Sequence, residues 1–281
     1  MSGTAVVTIA HGRHQHLLAQ HHSLARSSRR PDVYVLVAMG DRDLESWSVV
    51  GGLVPVVTSI DIAPEGLPLA AARNLGMSVA LAAGCDVLIG LDVDCLAGPG
   101  LVEAYAGAVR ADPESVWSGP VTYLPPAPGG YPLDRLAELD DPHPGRPAPA
   151  PGELLRGGDP ALFWSLSFAL SASAWAAAGG FDEAYVGYGA EDTDFGRRVV
   201  AAGLEHGWVG AARAYHQHHP TQDPPVSHLD DILRNGREFH RRWGEWPMGG
   251  WLTRFEELGL VVRQGDDWIR SGAGQRPTPE R

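Results

Sequence analysis

Asp92 and Asp94 close the stretch Val87-Leu-Ile-Gly-Leu-Asp92-Val-Asp94-Cys95. The apolar run before them predicts a short strand buried on both faces, as in a parallel sheet. Strand side chains alternate, so the two carboxylates face the same way if the strand runs through them. Two acids on one face at a strand's carboxyl end make a poor core and a good site for a hard divalent cation. Ligands of open α/β sheets bind at that end. For Asp-x-Asp alone an Asp-rich turn after the strand is the better reading, and the rest of the chain has to carry the cation site.

A second acidic group is Glu191-Asp192-Thr-Asp194, behind the Gly-rich aromatic loop Gly179-Gly-Phe-Asp-Glu-Ala-Tyr-Val-Gly-Tyr-Gly-Ala190. A helix is expected from about Glu191, with Phe195, Val199 and Ala202 inward and Gly203 as its cap. Acids at a helix start are favoured by the macrodipole, by about 0.3–1 kcal/mol each. One acid would satisfy that preference; three ask for chemistry as well. His216, His218 and His219 end a short expected strand, Ala214–His216. Alone they read as surface histidines, but a two-carboxylate cation site needs further ligands. The dense His11, His14, His16, His21 and His22 read as a solvated helix face, because no carboxylate or Cys shares their spacing. Arg73, in the first turns of a helix opened by Pro68, faces either an anionic ligand or solvent.

The elements that must position these groups alternate. Strands are expected at Ala5–Ala10, Val33–Ala38 and Val54–Ile60, with a helix from about His14 to Ala25 and a loop at Asp41-Arg-Asp43. The helix after Pro68 should turn Leu69, Ala72, Leu75 and Val79 inward, and the one after Pro99 Leu101, Val102, Tyr105 and Val109. This alternation predicts a parallel, Rossmann-like α/β half over residues 1–112. Residues 113–225 form a second half. Its dense Pro and Gly between Pro120 and Gly152 predict a mobile flap over the site. Phe163–Leu170 returns to strand character. Ser227 with Asp230 resembles a capping box that opens an amphipathic helix, and a second helix carries Trp251, Leu252, Phe255 and Leu258. Together these predict one domain over 1–270, with C-terminal helices from 226 and a flexible tail over 271–281.

Composition narrows the partners. The net charge is -12, which argues against nucleic acid and anionic membranes. All 22 basic residues are Arg, a compositional bias and not chemistry. No basic segment precedes the first strand as in a signal peptide. The uncharged window from Pro160 to Asp182 holds four serines and a Gly pair, so a strand and helix fit better than a membrane span. Cys85 and Cys95 flank an extended strand that separates them by roughly 30 Å, too far for a disulfide. Both are expected as free thiols in a reducing cytoplasm.

Taken in order, the pieces resemble the GT-A-fold glycosyltransferases, closest to glycosyltransferase family 2 and the β-1,4-galactosyltransferase C-terminal domain. The similarity spans roughly Thr4 to Pro220. Leu91-Asp-Val-Asp94 is similar to the Asp-x-Asp motif. Gly187-Tyr-Gly-Ala-Glu191-Asp192-Thr-Asp194, with Gly180-Phe-Asp-Glu before it, is similar to the more specific Gly-x-Gly-Gly-Glu-Asp acceptor motif. The resemblance implies a Rossmann-like mixed sheet flanked by helices and transfer of one sugar from a nucleotide-sugar, a UDP-sugar first, to an acceptor hydroxyl, with inversion. It implies Mn²⁺ or Mg²⁺ on Asp94, with Asp92 touching the metal or the sugar nucleotide, and His216, or else His219, completing the site. Asp192 would be the catalytic base and Glu191 would bind acceptor hydroxyls. His11, Arg13, Asp41 and Arg73 would hold the nucleotide.

The chain departs from the pattern at three places. Ala190 stands where Gly is usual. Ala10-His11-Gly12-Arg13 replaces a Pro-containing turn. Phe239 replaces the Gln of the processive Gln-x-x-Arg-Trp, although Arg242-Trp243 is kept, so single-sugar transfer is expected. A nucleotidyltransferase acting on a sugar phosphate would share the acidic α/β site, but would usually bring a Gly-rich basic loop after the first strand. A non-catalytic carbohydrate-binding protein would keep the aromatics without needing both Asp94 and Asp192.

Overall fold

The computed structural model describes residues 3–272; the tail expected to be flexible lies outside them apart from Ser271 and Gly272. The first half runs β1 (Gly3–Ala10), α1 (His14–Ala25), β2 (Val33–Met39), α2 (Arg42–Glu45), β3 (Pro55–Ile60), α3 (Leu69–Ala82), β4 (Cys85–Leu91), β5 (Cys95–Ala97) and α4 (Leu101–Ala111). The second half adds β6 (Ser115–Ser118), β7 (Val121–Tyr123), β8 (Leu154–Leu155), β9 (Ser167–Ser171), α5 (Ala172–Ala178), α6 (Glu191–Ala201), β10 (Glu205–Val209) and β11 (Ala214–His216). Then come α7 (Leu229–Trp243), α8 (Gly249–Glu257), β12 (Val261–Gln264) and β13 (Asp267–Arg270).

Eight strands form one mixed sheet in the order β3-β2-β1-β4-β9-β6-β10-β8. β3, β2, β1 and β4 are parallel, and β9 runs antiparallel to both β4 and β6. Both faces are covered, which is why β1, β2 and β4 are apolar almost throughout. Val7 and Ile9 of β1 pack with Met77, Trp175 and Phe195 of α3, α5 and α6. Val6, one residue out of phase, packs with Leu24 and with Leu101, Val102 and Tyr105 of α4 on the other face.

A small second sheet, β5-β11-β7, lies at the carboxyl end of β4. Its register sets His216 opposite Cys95, the residue after Asp94. The C-terminal unit has its own core of Leu229, Ile232, Leu233, Leu252, Phe255 and Val261. It includes the β12–β13 hairpin, where helices alone were expected.

Several expectations are corrected. Asp41-Arg-Asp43 is not a loop: Asp41 accepts from the Asp43 and Leu44 amides and caps the short α2. The buried line of α3 is Ala70, Ala72, Arg73, Gly76, Met77 and Ala80, with Leu69, Leu75 and Val79 at its edges. The reason is close approach: a Cβ on Gly76 would come 2.3 Å from Val7 Cγ1. The strand read over Phe163–Leu170 begins only at Ser167, because Pro160 starts a 3₁₀ turn capped by Asp159. Ala202 is exposed and itself ends α6. Ser227 caps nothing: it sits in a 3₁₀ turn, and α7 starts after it at Leu229. Leu258 lies beyond α8 and is 55% exposed.

The segment read as a flap is anchored. β7 pairs with β11, and Leu124 and Leu136 pack against Leu96 and Tyr215.

Candidate active site

β4 stops at Leu91, so Asp92 and Asp94 lie in the turn before β5 and not on the strand. Same-face alternation therefore does not apply, and the two acids go separate ways. Asp92 turns to Arg73, whose Nη2 lies 3.3 Å from Asp92 Oδ1. Asp94 turns to the histidines: His216 Nε2 is 3.5 Å from Oδ1 and His219 Nε2 is 3.4 Å from Oδ2. Three ligand atoms, from Asp94, His216 and His219, lie within 4.8 Å of one another. Asp92 is not part of that group.

The surrounding bonds explain how the turn is held. Gln20, fully buried on α1, donates to the Asp92 carbonyl at 2.6 Å. Its own oxygen accepts from Thr8 and Tyr34. The Gln217 amide, just past β11, donates to the Asp94 carbonyl at 2.7 Å. Sheet register and this bond bring His216 to Asp94. His218 is not in that group; its backbone amide donates to the Tyr131 hydroxyl.

The donor set suits a divalent cation. Two ligand atoms each about 2.1 Å from a metal in near-tetrahedral array sit about 3.4 Å apart, close to the spacings present. Burial raises the Asp94 carboxyl, but the His219 hydrogen bond and the His216 and Arg13 charges outweigh it, so Asp94 is held below its ordinary value. Burial lowers the His216 pKa against the opposing pull of Asp94, which favours the neutral imidazole. An ionised carboxylate and neutral imidazole are the forms that bind metal. The carboxylate suits a hard ion such as Mn²⁺, and the two imidazoles suit first-row divalent ions more generally.

The remaining donor-side candidates divide. Arg13, in the left-handed region at φ 55 before α1, reaches to 3.9 Å from Asp94 Oδ2. His11 Nδ1 bonds the Met39 carbonyl. Asp41 accepts from the Gly12 amide and from His14 Nε2, both at 2.9 Å, and so ties the β1 loop to the β2 loop. His11 and Asp41 shape this corner through the backbone. The five N-terminal histidines are not one solvated face: His21 is fully buried on Leu53 and Trp47.

At the second acidic group, Ala190 precedes α6 as its N-cap at φ 76, a conformation that costs a residue with a Cβ energy and that clusters at working sites. The turn ahead of it needs glycine, since a Cβ on Gly187, at φ 73, would lie 2.4 Å from Asp231 Oδ2. Glu191 is 6% exposed; one carboxylate oxygen accepts from Arg73 at 3.2 Å. The other, Oε2, has no partner. Asp192 was expected to stay ionised at a helix start. Instead burial, followed by the Glu191 charge, pushes its carboxyl up to about 7.

Asp194, the third acid, takes no part in that site. Fully buried, it accepts from Arg242 at 2.9 and 3.1 Å, from Trp243 Nε1 at 2.9 Å and from the Tyr185 hydroxyl. The Arg-Trp pair thus clasps α7 to α6. Sequence reasoning also missed Gln20 and the bridging role of Arg73; a buried Gln in an apolar helix face was the available signal for the first.

The fold is the GT-A architecture of glycosyltransferases, as comparisons with known proteins show. Residues 161–220 match the family described as the N-terminal domain of galactosyltransferase; that span holds the acceptor motif, His216 and His219. A crystal structure of GalNAc-T7 with UDP, GalNAc and Mn²⁺ superposes with a TM-score of 0.53 at 16% identity, over 78% of this chain and 44% of that one. A crystal structure of S. aureus TarS 1-349 superposes at 0.54 with 12% identity, over 85% of this chain and 66% of that one. The chain thus spans under half of one and about two thirds of the other. At such identities the likeness establishes the fold. No protein of curated function matches the sequence.

Proposed function

We propose that the protein is a metal-dependent glycosyltransferase that moves one sugar from a nucleotide-sugar, a UDP-sugar first, to an acceptor hydroxyl with inversion. The observation that carries this is the meeting of Asp94, His216 and His219 at the carboxyl end of β4 on a GT-A fold. The likeness to a structure holding UDP, GalNAc and Mn²⁺ supports the choice of donor and ion.

Asp94, His216 and His219 would hold Mn²⁺ or Mg²⁺, which would supply Lewis-acid stabilisation of the charge on the leaving diphosphate. Arg13 adds a positive charge beside it. His11 and Asp41 fix the two loops that flank the nucleotide. Arg73 holds Asp92 on the donor side and Glu191 on the acceptor side. Glu191 offers its unpartnered Oε2 to an acceptor hydroxyl. Asp192 accepts the hydroxyl proton; a carboxyl at about 7 is matched to that task near neutral pH. The described residues contain no helix long and apolar enough to cross a membrane. Cys85 and Cys95 are free and buried, which fits a reducing compartment such as the cytoplasm.

The test is a panel of nucleotide-sugars with and without Mn²⁺, reading nucleotide release and the anomeric configuration of the product. Metal-dependent UDP release with inverted product supports the reading. Equal release after chelation, or none with any donor, overturns it. Synthesis of a nucleotide-sugar from a sugar phosphate and a nucleoside triphosphate would favour a nucleotidyltransferase instead.

A further inference from the structure

Arg146 lies on the segment between β7 and β8 and is 6% exposed. Its guanidinium carbon sits 5.1 Å from the Trp164 ring and 4.6 Å from the Trp208 ring. None of its three side-chain nitrogens has a hydrogen-bond partner, and neither does the buried Trp208 Nε1. Arg73, equally buried at 7%, is paired with two carboxylates. The chain has 34 acidic residues, yet none makes an ion pair with Arg146 among the described residues. Stacking on two rings offsets part of the cost of dehydrating a guanidinium. Hydrogen bonds to an anion would supply what is missing, and a guanidinium fork matches carboxylate, sulfate or phosphate.

A line of aromatic contacts connects this group to the candidate cation site. His216 stacks on Tyr123 with centroids 4.7 Å apart; Tyr123 meets His143 at 5.3 Å; His143 meets Trp164 at 5.5 Å. We propose that Arg146 binds an anionic group carried by the acceptor, so that the acceptor is an acidic saccharide or another acidic hydroxyl compound lying along these rings. This rests on the glycosyltransferase reading above. The donor diphosphate is the other source of anionic charge, but it belongs beside Asp94 and Arg13, whereas Arg146 feels the charge of Asp192, the proposed base on the acceptor side. Entry needs a shift of the His143–Arg146 turn, whose Pro144 and Gly145 are exposed.

The experiment uses the full chain with Mn²⁺ and reads tryptophan fluorescence, since Trp164 and Trp208 flank the guanidinium. Glucuronate, galactose 6-sulfate and glucose 6-phosphate are titrated against glucose and glucuronamide. At least one anionic probe should bind about 10-fold or more tighter than glucose, and Arg146→Met, which keeps the stack but not the charge, should remove that preference. UDP affinity should be unchanged in the variant. The comparison of glucuronate with glucuronamide takes the charge from the ligand side, so it stands even if the variant fails to fold. Equal binding of charged and uncharged probes in the wild type overturns the proposal, as does a preference that survives in Arg146→Met. Loss of UDP affinity in the variant would reassign Arg146 to the donor. Failure of the glycosyltransferase reading itself would appear separately, as absent Mn²⁺-dependent UDP binding in the wild type.

Discussion

Arg73 joins Asp92 to Glu191, with one guanidinium nitrogen 3.3 Å from the first carboxylate and another 3.2 Å from the second. One buried cation thereby ties the turn that carries the Asp-x-Asp motif to the first residue of α6. Those elements are about a hundred residues apart in sequence, so this bridge fixes the two acidic segments relative to each other. It also neutralises part of a crowd of acids: burial pulls the Arg73 pKa down, but Asp92, Glu191 and Asp192 outweigh it and hold the guanidinium charged.

Removing that cation leaves buried carboxylates uncompensated. Arg73→Met should therefore cost about 3–5 kcal/mol, the usual loss when one partner of a buried pair is deleted. Denaturant midpoints of wild type and variant measure it. A loss below about 1 kcal/mol would mean the bridge is solvated and contributes little.

Asp94, His216 and His219 should act as a unit toward Mn²⁺. Asp94→Asn and His216→Ala should each weaken Mn²⁺-dependent UDP binding by at least about 10-fold, since even outer partners of metal ligands cost that much. Asp92→Asn should do less to the metal, because Asp92 faces Arg73. Calorimetric titration of Mn²⁺ in the presence of UDP separates the three. An Asp92→Asn effect as large as that of Asp94→Asn would return Asp92 to the metal site.

Much of this was legible in sequence, and the misses share a cause. The apolar strands and α1 were readable because burial on both faces leaves a local pattern. The grouping of Asp94 with His216 was readable because their residue types and order resemble family motifs. The separation of Asp92 from Asp94 was not, because it depends on where β4 stops, and the bonds from Gln20 and Gln217 that hold the turn come from distant segments. The elevated Asp192 carboxyl was not, because the macrodipole argument is local while burial is tertiary. The Asp194 clasp required knowing that α7 lies against α6.

His206 gives the fold an acid-sensitive point. It is 2% exposed, with one ring nitrogen on the Ser118 hydroxyl and the other on the Asp159 carbonyl. Burial lowers its pKa from 6.5 to about 4. The unfolded chain therefore takes up a proton between those values that the folded chain refuses. The contribution is fully present above about pH 6.5 and is lost as pH falls toward 4, about 3 kcal/mol in all. Stability of His206→Gln should fall less over that window than that of the wild type. Parallel pH profiles of unfolding free energy would refute the assignment.

Asp192 is the group whose titration should appear in turnover. Burial and the adjacent Glu191 charge raise its carboxyl to about 7. A base must be deprotonated to accept the acceptor proton, so kcat/KM should rise with pH through about 7 and level off above it. Glu191→Gln removes the like charge and should move that limb to lower pH, while weakening acceptor binding through loss of the carboxylate at Oε2. Asp192→Asn keeps the volume and removes the base, and should cost on the order of 10²–10⁴-fold in kcat with donor affinity retained. A pH limb that persists in Asp192→Asn, or near-full turnover in that variant, would show that another group takes the proton. Retention of the donor's anomeric configuration would point the same way, because an inverting displacement needs its base on the face opposite the leaving diphosphate.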